Sequence, residues 1–137
     1  MKRTMILLVA ATLFAAQHLA AQSLTIEVRG IEKPVGNVYV AFYNSAETFM
    51  KQPVAAFGVA ATASVLRIPC KGLPPGTYAF SMFQDENDNR KLDTGVFGIP
   101  TEKYAFSNDA QGVMGAPSYN KCRFTLRTDT TMTVNMR

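Results

Sequence analysis

An all-β fold, a single β-sandwich of about seven strands with Greek-key connections and one long ordered loop, is predicted by three features of this 137-residue sequence. Apolar residues recur with a period of two in most segments after residue 21. Gly, Pro, Asn and Asp punctuate those segments at short intervals, as turns between strands do. No later stretch carries the apolar period of a long helix, and some seven short strands without one favour a sandwich over a closed barrel.

The first 21 residues stand apart. Lys2 and Arg3 precede an uncharged run, MILLVAATLFAA over residues 5–16, which ends near the small residues Ala20 and Ala21. That order is a secretory signal peptide, residues 1–21, cut before Gln22. The run is shorter than the roughly 20 apolar residues a membrane span requires. A buried amphipathic helix would need polar residues along one face, and none occurs before Gln17. No Cys lies near the cut to carry a lipid, and nothing later is apolar enough to span a bilayer. Residues 22–137 are therefore expected to form one soluble domain, exported to the periplasm or the extracellular medium.

Export changes the chemistry available. The leader takes Lys2, Arg3 and the single histidine, His18, so half of the formal charge of +4 departs with it. A nucleic-acid partner, which needs a concentrated basic patch, is not expected. With neither His nor Trp left, Ser-His-Asp and Cys-His catalysis and His-ligated metals are excluded.

The strands follow in order. Leu24, Ile26 and Val28 alternate with Thr25, Glu27 and Arg29 up to Gly30. Val38, Val40 and Phe42 form a second buried face, with Tyr39, Ala41 and Tyr43 opposite, so this strand is expected to be central and covered on both sides. Residues 46–51 could form one or two helical turns behind Ser45 as N-cap before Pro53 interrupts them. A weak strand is expected around residues 57–60. Leu66, Ile68 and Cys70 share a face, and Leu73-Pro74-Pro75-Gly76 turns the chain into Tyr78, Phe80 and Met82. Cys122, Phe124 and Leu126 alternate with polar neighbours, and a turn at residues 128–130 leads to Met132, Val134 and Met136. Cys70 and Cys122 each fall on an apolar face and are exported to a compartment where disulfides persist, so a structural bridge between two strands is expected, against the alternative of two buried thiols.

Residues 84–120 have little period and are rich in Gly, Asn, Asp and Pro. A connection of that length is usually functional or disordered. Phe97, Tyr104, Phe106 and Tyr119 argue for order. Asp85, Asn87, Asn89 and Asp93 occupy relative positions one, three, five and nine, where oxygen ligands converge on Ca²⁺ in an EF-hand type loop. Arg90 replaces the turn glycine of such loops, and Val96 replaces the bidentate Glu. A metal site here would need a further ligand such as Glu102. The same Asp and Asn residues are also turn formers that bond nearby amides, and the sequence leaves both readings open.

The combination of Gly76-Thr77-Tyr78-Ala79, Asp85-Glu86-Asn87, Leu92-Asp93, Gly98-Ile99-Pro100, Glu102, Tyr104 and Phe106-Ser107-Asn108 resembles a bacterial exported family, domain of unknown function 2141. The resemblance covers nearly all of residues 22–137 and implies a secreted or periplasmic single-domain protein of unassigned activity. That family often has Gly where Arg90 stands. The turn at Leu73-Pro74-Pro75-Gly76-Thr77-Tyr78 is similar to one in transthyretin-like and carboxypeptidase regulatory-type sandwiches, which implies architecture and not function.

Three function classes follow. The first is a non-catalytic binding module whose long loop, ordered by Ca²⁺ or by its own contacts, presents Tyr104, Phe106 and Asn108 to an envelope or extracellular ligand such as a carbohydrate. The second is a structural or interaction protein of the envelope, the reading expected if Tyr104, Phe106 and the oxygens of residues 85–93 face inward and are satisfied by backbone amides. The third, a hydrolase pairing Asp85 or Asp88 with Glu102, rests only on a common type of carboxylate pair, so no catalytic residue is assigned.

Overall fold

The computed structural model describes residues 21–137, so the expected signal peptide at residues 1–21 lies, but for Ala21, outside the described residues. Eight strands form two packed sheets. β1 (Gln22–Arg29), β4 (Leu66–Leu73) and β8 (Thr130–Asn135) make the first, in the order β4-β1-β8, with β1 antiparallel to β4 and parallel to β8. β2 (Asn37–Tyr43), β3 (Ala55–Ala60), β5 (Gly76–Asp85) and β6 (Tyr104–Phe106) make the second, in the order β3-β2-β5-β6, and β7 (Phe124–Leu126) pairs with the start of β5. Among the described residues no helix is long and apolar enough to cross a membrane.

The period-two pattern explains which faces meet. Leu24, Ile26, Val28, Ile68, Cys70 and Val134 point from the first sheet into the same core as Val38, Val40, Phe42, Phe80 and Met82 from the second. Phe42 is the hub, its ring edge-on to Phe80 at 5.5 Å and to Phe57 at 5.8 Å. Burying side chains of this size stabilises the fold by about 1.5–3 kcal/mol each before entropy is counted. The Tyr78 hydroxyl donates to the Pro74 carbonyl at 2.6 Å, which closes the turn into β5.

The second sheet is covered on its outer face as well. Ala79, Phe106 and Cys122 are buried there, with Phe49, Tyr104 and Tyr119 packed against them. Phe49 contacts Tyr43 and Tyr119 edge-on, at 5.3 and 5.8 Å. The segment bearing Phe49 is a run of turns and not the expected helix. Ser45 does act as its cap, accepting from the Thr48 N–H, but Met50 at φ 61° stops the helical path.

The expected bridge between Cys70 and Cys122 is corrected: both thiols are free. Residues 119–122 form a short helix, α1 (Tyr119–Cys122), instead of the start of a strand. Helical geometry breaks the alternation that placed Cys122 in phase with Phe124 and Leu126. Cys122 therefore packs in the outer cluster while Cys70 packs between the sheets, on opposite faces of the second sheet. The additional strand relative to expectation is β6, whose three residues are too few to show a period.

Burial pushes the Cys70 thiol up to about 12 and the Cys122 thiol up to about 11, so both remain protonated and unreactive near neutral pH. A disulfide-exchange reagent at about pH 8 is expected to label neither thiol in the native protein and both after denaturation. Two unlabelled cysteines in the denatured, unreduced protein would instead reveal a bridge.

Candidate functional site

The long connection after β5 is built on two buried carboxylates. Asp85 ends β5 on the outer face of the second sheet and is fully buried. Its Oδ1 accepts from the Asn89 N–H at 3.2 Å and its Oδ2 from the Arg90 N–H at 2.7 Å. Glu102, also buried, accepts from the Glu86 N–H and the Asp93 N–H, each at 3.0 Å. Four amides that would otherwise be unpaired in a tight turn are thus satisfied by anions, the stronger class of hydrogen bond.

The neighbouring 30–36 segment closes on this base. A Cβ on Gly36, whose φ is 69°, would stand 1.9 Å from the Asp85 carbonyl oxygen, so only glycine permits the approach. Buried Gln84 donates from Nε2 to the carbonyls of Lys33, at 2.6 Å, and Val35, at 2.9 Å. At the rim, Asn37 donates to Asp88 and Lys103 pairs with Glu32 at 2.7 Å, an ion pair that holds the Glu32 carboxyl below its usual range.

The expected metal ligands do come together, but around hydrogen bonds. Asn87 and Asn89 both donate their side-chain amides to Asp93, one to each carboxylate oxygen. With both Asp85 oxygens and both Glu102 oxygens taken by backbone amides, every carboxylate oxygen of these three side chains has a donor. No group of three or more His, Cys, Asp or Glu side chains able to hold a metal ion occurs among the described residues. This geometry is that of the turn-forming alternative, with the oxygens facing amides.

The residues expected to face a ligand are placed as follows. Phe106 is buried in the outer cluster and Tyr104 is half-buried beside it. Asn108, at φ 62°, donates its amide to the carbonyls of Lys121, Cys122 and Arg123, at 3.0–3.2 Å, and so caps the end of α1. Ser107 between them accepts from the Phe80 N–H and donates to the Cys122 carbonyl at 2.6 Å. Tyr104 and Phe106 border a small cleft together with Ala110, Pro117 and Arg137.

The tip of the loop faces solvent, as do Val113 and Met114 further along it. Thr94 bridges Pro100, and the Gly95 N–H donates to the Ile99 carbonyl at 2.8 Å, so residues 94–100 form a small hairpin. Its turn has Phe97 at φ 61° and Gly98 at φ 71°, the backbone of a type I′ turn. Val96 is 75 %, Phe97 96 % and Ile99 64 % exposed. Sequence reasoning missed this tip; the signal was the uncharged run of residues 94–101 between acidic anchors.

The sequence from residue 26 to residue 135 matches the model of the family described as "Uncharacterized protein conserved in bacteria (DUF2141)". The chain belongs to that family. No curated protein and no solved structure matches it. Asp85, Glu102, Phe106, Ser107 and Asn108, among the residues that carried the resemblance to this family, are those that fix the loop to the sandwich.

Replacing Asp85 by Asn turns one acceptor oxygen into a donor facing a backbone N–H. Loss of about 3 kcal/mol is expected, read as a melting temperature lower by roughly 10 °C. Millimolar calcium should leave the wild-type melting temperature within about 1 °C, whereas an ion at a hundredfold its dissociation constant would raise it by about 10 °C.

Proposed function

We propose that this chain is an exported, non-catalytic interaction module of the bacterial envelope, and that the hairpin tip at residues 96–99 makes the contact. The pattern of residues 1–21 supports export. The absence of histidine from residues 22–137 supports a non-catalytic role, as does the commitment of Asp85 and Glu102, the candidate acid–base pair, to backbone amides.

One observation carries the reading. Phe97 combines near-complete exposure with a left-handed backbone, which costs a non-glycine residue about 1–2 kcal/mol. Nothing in the fold repays either cost, and strain of this kind collects at contact sites. The anchored base means the tip is already ordered, so little entropy opposes its docking. Val96 and Ile99 flank the ring and offer an apolar contact that suits a hydrophobic pocket on an envelope partner.

The second reading, a structural envelope protein without a ligand, is favoured by the loop base. Asp85 is satisfied by amides and Phe106 is buried, as that reading expects, although Asn87, Asn89 and the tip residues remain exposed. A photo-crosslinking residue at position 97, in cells of the producing bacterium, separates the two. The interaction reading expects an adduct of defined mass at position 97 and none at exposed Lys71 on β4. Equal labelling at both positions, or none at either, favours the structural reading.

A further inference from the structure

A second, independent feature lies on the outer face of the second sheet. Tyr39 on β2 and Phe83 on β5 stand directly opposite in the strand register, ring centroids 5.7 Å apart and tilted by 45°. Both are half-buried. The outward residues of the adjoining edge strand β3 are Ala56, Gly58 and Ala60, so no large side chain from β3 rises over the pair. A Cβ on Gly58 would lie 2.8 Å from the Tyr39 ring, which shows that the ring rests on the glycine.

Arg90 borders an open, shallow hollow with these two rings. Its φ is 60°, a left-handed conformation, and the buried Asp85 carboxylate holds its N–H at 2.7 Å. The turn after β5 thus folds back over the face that carries Phe83 and sets an arginine at the rim. None of the ion pairs among the described residues engages its guanidinium.

We propose that Tyr39, Phe83 and Arg90 form a binding site for an acidic saccharide. The apolar face of a pyranose ring packs against the half-exposed rings, and the sugar carboxylate meets the Arg90 guanidinium, a planar donor matched to two carboxylate oxygens. The two half-exposed rings lie beside the guanidinium on an open surface, so an apolar ring face and its carboxylate can be met together. This site is separate from the tip at Phe97 and does not depend on a contact there.

Saturation-transfer NMR and calorimetry with a short oligogalacturonate test it, with the neutral maltose and with benzoate as comparisons. The oligogalacturonate should bind at least about tenfold more tightly than maltose. Arg90→Gln should abolish that preference. Arg90→Gly should abolish it too while raising the melting temperature by roughly 3 °C, because glycine relieves the left-handed strain. Weakened binding together with a more stable fold cannot be explained by damage to the protein. Absence of oligogalacturonate binding at millimolar concentration, unchanged binding in Arg90→Gly, or benzoate binding as tightly as the sugar would each overturn the proposal.

Discussion

The pairing of the Asp85 carboxylate with the amides of Asn89 and Arg90 organises everything that distinguishes this sandwich from a plain one. A carboxylate with no exposure is costly unless its oxygens meet donors, and a tight turn is costly unless its amides meet acceptors. Each solves the other's problem. The result is a turn that leaves β5, folds back over the outer face of its own sheet and brings Arg90 to Tyr39 and Phe83. Glu102 repeats the device at the far end of the loop, where it fixes residues 86 and 93 to one side chain. Close approach of Gly36 to the Asp85 carbonyl and the two bonds from Gln84 then lock the adjacent segment.

The same economy governs the segment after β6. Ser107 and Asn108 spend their polar atoms on β5 and on the last carbonyls around α1, while Asp109 accepts from both the backbone and the side-chain amide of Asn135 on β8. That last contact covers an edge strand that would otherwise present open backbone groups. Arg137 adds two backbone bonds with Tyr104, at 3.1 and 3.0 Å, so the end of the chain ties the first sheet to β6. Motif residues that look like ligands in a sequence serve here as internal fasteners.

Strands of five or more residues with one buried face were legible because alternation reports burial directly: β1, β2, β4, β5 and β8 lie where the period placed them. Short elements were not. β6 has three residues, and four-residue α1 sits inside an alternating run that reads as a strand until its backbone turns helical. The misplacement of Cys122, and with it the expected bridge, follows from that single turn. The oxygen-rich spacing from Asp85 to Asp93 was legible as a cluster, yet spacing alone cannot distinguish oxygens that face an ion from oxygens that face amides. The positive backbone angle at Arg90 was signalled only by its place where such loops carry Gly, and that at Phe97 left no sequence signal.

Those two angles suggest a division of labour along the loop. Where the chain bends against the sheet, the strained residue is held by a buried anion and its side chain overlooks an aromatic hollow. Where it bends in solvent, the strained residue carries an exposed ring with no internal contact to justify it. A loop selected only for stability would place Gly or Asn at both bends, because either adopts the left-handed region at lower cost. Keeping Arg at one and Phe at the other forgoes that stability and leaves a guanidinium bordering two rings and an exposed apolar tip. Left-handed Asn108 and Asp109 serve the fold, whereas the proposed contacts fall at left-handed Arg90 and Phe97.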